Sequence, residues 1–151
     1  MKKVFVCVAL FYIFVSSTLA QGVNDPTVWR YEVHKKNTNQ YELAFVVKLN
    51  EGWHIFSQKA GDEMLIPPSF HFDKNNAVKF VGKVIEQGKL KTEKMEGVDH
   101  PVRYYEGIVT FSQLVQTKSG TKIMGEHEYQ VCNNNMCLPP KKKKFEFIIK
   151  D

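Results

Sequence analysis

The sequence predicts an all-β sandwich, and three observations carry that prediction. About eight short segments alternate apolar and polar residues with the period of a pleated strand, turn-forming residues separate them at regular intervals, and no helical apolar period follows residue 20.

The start of the chain stands outside that pattern. Met1-Lys2-Lys3 is a short basic opening, Val4 to Val15 is an apolar run too short for a full membrane span, and Ser16 to Ala20 supplies small residues with Thr18 and Ala20 at −3 and −1 of a cut before Gln21. Residues 1–20 therefore read as a removed secretory signal, with no stable membrane insertion once it is gone. Cys7 lies inside the apolar core of this segment, which does not fit a lipoprotein arrangement. The rest of the 151-residue chain suffices for one hydrophobic core. Its formal charge falls from +5 to +3 with the loss of Lys2 and Lys3, so nothing calls for a nucleic acid or membrane-surface partner.

Gln21 to Pro26 is a polar lead-in, and the domain is placed at residues 27–151. Trp29, Tyr31 and Val33 alternate with Arg30, Glu32 and His34 in a first strand, and Asn37-Thr38-Asn39 turns the chain. The second strand, Tyr41 to Leu49, contains the unbroken apolar run Leu43-Ala44-Phe45-Val46-Val47, as a strand buried on both faces requires. Glu51-Gly52 leads into Trp53-His54-Ile55-Phe56. Alternation puts Trp53 and Ile55 on one face and His54 and Phe56 on the other. Ser69 to Phe72 and Val78 to Val84 continue the β pattern. The polar stretch Gln87 to Pro101 reads as a long loop or weak edge strands. Tyr104 to Val115 is again a strand, Lys118-Ser119-Gly120 turns it into Lys122 to Val131, and Phe145, Phe147 and Ile149 alternate in a last one.

The most informative stretch is Glu128-Tyr129-Gln130-Val131-Cys132-Asn133-Asn134-Asn135-Met136-Cys137-Leu138-Pro139-Pro140, followed by four lysines. It holds the two cysteines left after the signal is cut, in a compartment where disulfides persist. The thiols flank a polar turn, and antiparallel partners there lie roughly 4.5 to 5.5 Å apart at Cα, within reach of a disulfide. Pro139 and Pro140 stiffen the chain just beyond the second thiol. A cystine in a secreted β domain is often a static brace, yet chain entropy gives so short a loop only about 2 kcal/mol. Lys141 to Lys144 could raise the thiolate population, attract an acidic partner, or simply form a charged edge that blocks strand-to-strand aggregation.

The run Tyr129-Gln130-Val131-Cys132, the short spacer and Cys137-Leu138-Pro139-Pro140 resemble the amino-terminal periplasmic domain of the thiol:disulfide interchange protein DsbD. Asn50 to Ser57 resembles that family's turn and aromatic strand, and the likeness spans most of residues 27–150. The resemblance implies an immunoglobulin-like fold and a cofactor-free thiol:disulfide oxidoreductase component that relays reducing equivalents in the periplasm, as in cytochrome c biogenesis. Cys137 would engage the partner and Cys132 resolve the mixed disulfide. Trp53, His54, Phe56, Tyr129, Met136 and Pro139 would flank the pair. In the family an aromatic-tipped loop covers the cysteines. The corresponding stretch here, Glu93 to His100, has no aromatic residue, so Met95 or Val98 would cap instead. The partners implied are thioredoxin-like periplasmic proteins. The chain stops at Asp151 where the full-length family protein continues into a membrane domain, which leaves a separate membrane electron carrier as the expected source of electrons.

Two other function classes fit some residues. Met64, Met95, Met124, Met136, the two cysteines and five histidines are ligands suited to copper, but they show no ligand spacing, and no metal site is assigned. A plain adhesion or assembly module with an inert cystine is the other. No nucleophile with a base, paired carboxylates or phosphate-binding glycine loop supports a hydrolase or transferase.

Overall fold

The computed structural model describes residues 24–94 and 97–150; the expected signal at residues 1–20 lies outside them, as does Met95. Among the described residues there are nine strands and no helix: β1 (Thr27–Asn37), β2 (Gln40–Leu49), β3 (His54–Phe56), β4 (Ser69–Phe72), β5 (Lys79–Glu93), β6 (Val102–Gln116), β7 (Lys122–Tyr129), β8 (Val131–Cys132) and β9 (Lys141–Ile148). All pairings are antiparallel. One sheet runs β1-β2-β6-β3-β8, with β5 on the other edge of β6, and the second runs β4-β7-β9. The two sheets form the immunoglobulin-like sandwich.

Strand β6 is the spine of the larger sheet. Its second half pairs β2 from Ile108 to Gln116, and its first half pairs β3 through Tyr104, Tyr105 and Glu106. The handover falls at Gly107, whose φ of 68° lies in the left-handed region that favours glycine. One strand thus carries both the body of the sandwich and the short strand beside the cysteines.

The period-two pattern decides what is buried. Leu43, Phe45 and Val47 of β2 meet Val109 and Phe111 of β6 and Phe145 and Phe147 of β9 in one core cluster. Phe45 and Phe111 are register partners and fully buried, each contributing about 1.5–3 kcal/mol by leaving water. Ala44 and Val46 are also buried, so β2 is covered on both faces, as its unbroken apolar run requires.

Two boundaries differ from the sequence reading, and one choice it left open is decided. The polar stretch after Gln87 begins as an edge strand: β5 runs to Glu93, with a register irregularity between Gly88 and Leu90, because its backbone pairs with the edge of β6 and that hydrogen bonding needs no apolar alternation. The segment Lys122 to Val131 is two strands. Tyr129 ends β7 in the smaller sheet, and Val131 begins β8 in the larger one. The four lysines lie inside β9, the edge of the smaller sheet, where Lys142 pairs with Glu126 at 3.7 Å and Lys143 with Asp25 at 3.0 Å. A charged sheet edge of this kind disfavours pairing with another chain.

The polar lead-in is anchored at its end. Tyr129 Oη donates to Asp25 at 2.6 Å and Thr27 Oγ1 donates to it at 2.7 Å. Burial alone would raise the Asp25 carboxyl, but these hydrogen bonds and Lys143 hold it at about 2.

His127 sits at the centre of the aromatic core, fully buried, with Trp29 at 4.3 Å between ring centroids and Nε2 2.9 Å from Tyr31 Oη. Burial, assisted by the charge of Lys143, pulls its pKa down to about 4. The folded state therefore favours neutral His127, while the unfolded chain takes up a proton near the ordinary value of about 6.5. Stability from this group is complete above about pH 6.5 and is lost as pH falls towards 4, by about 3 kcal/mol at pH 4. Urea unfolding at pH 7 and pH 4 is expected to show that loss in the native protein and not in His127→Phe. Asp25 is present in both proteins, and its folded-state carboxyl stays ionised across this window, so it does not account for a difference between them. Equal acid sensitivity in the two proteins would refute the assignment.

Candidate functional site

The chain crosses from the smaller to the larger sheet at Gln130 and delivers Cys132 onto the edge strand β8, beside β3. Two ladder pairs fix it there: His54 opposite Cys132 and Ile55 opposite Val131. Beyond Cys132 the four-residue spacer is a built turn. Asn133 N donates to the Met136 carbonyl at 2.9 Å, and Asn133 Oδ1 accepts from the backbone N–H groups of Asn135 and Met136, each at 2.9 Å. Asparagine supplies this side-chain mimic of a backbone turn. Leu138 N then returns to the Val131 carbonyl at 2.9 Å, and Gln130 Nε2 holds the Leu138 carbonyl at 3.0 Å. The returning chain is tied on both sides of the second cysteine.

Cys132 and Cys137 are joined in a disulfide and form an isolated antiparallel bridge with a Cα separation of 3.9 Å, closer than the 4.5 to 5.5 Å expected for ordinary ladder partners. The two sulfurs differ in environment. Cys132 is 2% exposed, whereas Cys137 lies on the surface with Met136, Pro139 and Pro140.

Alternation sorts the neighbours. Ile55, Tyr105 and Val131 face the main core. On the opposite face of the same sheet a smaller cluster gathers Phe56, Ala60, Val102, Tyr104 and Cys132, with Leu65 and Val98 packed against it. His54 belongs to this second face: its ring centroid lies 4.8 Å from that of Tyr104 and 5.5 Å from that of Phe56. The segment after β3 is fixed by Glu86 of β5, which accepts from Ser57 Oγ at 2.8 Å, from Tyr105 Oη at 2.8 Å and from the Gln58 backbone N–H.

Of the residues expected to flank the pair, the structure brings His54 and Phe56 to Cys132 and leaves Met136 and Pro139 on the exposed rim. Trp53 packs against the main core instead, on the face of Ile55. Tyr129 is also in the main core, its hydroxyl turned to Asp25 and Thr27 rather than to the cysteines. Met95 lies outside the described residues, while Val98, the other candidate cap, packs against the cluster of Cys132.

The sequence reading missed Tyr104 and the charges around it. Burial, with Glu93 as hydrogen-bond acceptor and further charge from Glu106, pushes Tyr104 up to about 12. Lys91 pairs with Glu106 at 2.7 Å and lies 5.9 Å over the Tyr104 ring. Burial lowers the pKa of His54, opposed by Glu106 and Glu93. The one local signal was Gly107, an isolated glycine inside a strand pattern, which suggests an irregularity in β6 but not the strand it pairs with beyond it.

Comparison with known proteins agrees with this geometry. Residues 20–149 match the family described as thiol:disulfide interchange protein DsbD, N-terminal. No curated protein matches the sequence. Among solved structures, the N-terminal periplasmic domain of ScsB from Proteus mirabilis is similar with a TM-score of 0.61 at 18% identity, over 82% of this chain and 46% of that one. The chain thus spans about half the length of that protein. The DsbD N-terminal domain of Neisseria meningitidis, in its reduced form, is similar with a TM-score of 0.55 at 11% identity, over 82% of this chain and 86% of that one. At those identities the likeness establishes the immunoglobulin-like fold, and the sequence match over residues 20–149 establishes the rest: this chain belongs to the family of DsbD N-terminal domains.

Proposed function

We propose that this domain relays reducing equivalents in the periplasm by thiol–disulfide exchange through Cys132 and Cys137, between thioredoxin-like proteins and a separate membrane electron carrier, with no cofactor. The observation that carries the reading is the asymmetry of the pair, Cys132 buried to 2% exposure and Cys137 on the surface. A partner thiolate must approach along the S–S axis, and Cys137 is the sulfur it can reach. Attack there forms a mixed disulfide and releases Cys132 as thiolate; in the reverse direction Cys132 resolves that mixed disulfide. His54 and Phe56 flank the buried sulfur, Met136 and Pro139 frame the exposed one, and the Glu93 to His100 stretch acts as a cap, supported by the packing of Val98.

The test is the reduction potential of the couple, measured by thiol trapping across a graded dithiol buffer. Structural disulfides lie below about −300 mV and exchanging ones above it. A value above that limit is expected. A value below it would return the cystine to a structural role and favour an adhesion or assembly module.

A further inference from the structure

His54 has a feature that packing alone does not explain. The residue is 6% exposed, and its Nε2 is buried with no hydrogen-bond partner. An unpaired buried polar atom costs about 1–3 kcal/mol, which an apolar ring in the same place would avoid. His54 is also the register partner of Cys132 on the adjoining strand, on the same face of the sheet, where directly opposed side chains have Cβ atoms roughly 4.5–5.5 Å apart. In the disulfide, Cys132 has no S–H to offer. Reduction supplies, on the neighbouring side chain, the donor that Nε2 lacks.

We propose that His54 accepts the proton of the Cys132 thiol when that thiol resolves a mixed disulfide, and returns it when Cys132 leaves. This rests on the exchange reading above and deepens it. The Cys137 thiolate first attacks a partner disulfide, forming the mixed disulfide and releasing one partner thiolate. The Cys132 thiol then transfers its proton to His54 Nε2, and the resulting thiolate attacks the Cys137 sulfur. The Cys132–Cys137 bond forms, the bond from Cys137 to the partner breaks, and the second partner thiolate departs. Two electrons pass from the cysteine pair to the partner disulfide, and the imidazolium passes its proton to the departing thiolate or to water.

The surroundings suit a group that shuttles a proton without holding it. Glu106, the register partner of His54 on β6, and Glu93 on β5 stabilise the transient imidazolium. Lys91 on β5 opposes them, and Tyr104 on β6 stays protonated. Burial keeps the resting imidazole neutral. A buried thiol has its pKa raised above about 8.5, so without an acceptor few molecules would carry the resolving thiolate at pH 7.

The experiment follows the reduced protein reacting with dithiodipyridine, which releases one thiopyridone when Cys137 is captured and a second when Cys132 resolves. At pH 7 the rate of the second release relative to the first is expected to fall about 100-fold in His54→Phe and His54→Gln, the lower end of general-base contributions. The deficit is expected to close as pH rises and Cys132 ionises without help, a pH profile that a packing role would not produce. A variant that resolves at the native ratio at pH 7 overturns the proposal and leaves the exchange reading standing. A native protein that forms no mixed disulfide overturns both. Should the variants fail to fold, the imidazole nitrogen shifts of His54 in the native protein decide. They are expected to change between oxidised and reduced forms, and identical shifts overturn the proposal.

Discussion

Cys132→Ala is expected to accumulate as a stable mixed disulfide through Cys137, whereas Cys137→Ala is expected to capture the same probe disulfide about a thousandfold more slowly. The asymmetry follows from burial. Cys137 meets solvent as the structure stands, but Cys132 must first be uncovered, and that means opening β8 from β3 and lifting Phe56, Tyr104 and Val98 away from it. If such local opening costs about 4 kcal/mol, the accessible fraction falls by roughly 10³. Incubating each reduced single-cysteine variant with an aromatic disulfide and following adduct formation by mass spectrometry checks this directly. Comparable capture rates would show that the buried sulfur is uncovered freely, and the order of attack proposed for the pair would have to be abandoned.

The sequence made the chemistry legible and the surroundings only partly so. The cysteines, their polar spacer and the following prolines lie within nine residues, so local turn rules sufficed to place both thiols across one turn. Alternation likewise divided Ile55 from His54 and Phe56, and the structure keeps that division. Tyr104 was not legible, because its meeting with His54 depends on β6 exchanging β2 for β3 at Gly107, a long-range pairing that no local pattern specifies. Tyr129 was misplaced for the opposite reason. Its nearness in sequence to Cys132 suggested nearness in space, but Tyr129 and Cys132 belong to different sheets, and the hydroxyl is drawn to Asp25 on the lead-in. The exposure of Cys137 beside a buried Cys132 was likewise hidden, since both sit in similar polar and apolar company along the chain.

Gly125→Ala is expected to destabilise the fold by more than about 3 kcal/mol, although it adds a single methyl group to a strand. Gly125 lies in β7, between Phe72 of β4 and Phe145 of β9. A Cβ at that position would stand 2.1 Å from the His71 carbonyl oxygen, 2.6 Å from Phe145 Cζ and 3.0 Å from Phe72 Cα. Two of those three atoms are backbone, so no rotamer change relieves the contact, and β4 would have to move away from β7. The consequence reaches the cysteines, because β7 passes directly through Gln130 into β8. Loosening the smaller sheet removes the fixed end from which Cys132 is delivered to β3. Urea unfolding of Gly125→Ala is expected to show the loss, and the thiol of Cys132 in the reduced variant is expected to react with an alkylating agent faster than in the native protein. Met124→Ala, one residue away and 43% exposed, should change stability by less than about 0.5 kcal/mol. A Gly125→Ala protein as stable as Met124→Ala would mean that the two sheet strands can separate at no cost, and the burial of Cys132 would then need an anchor other than β7.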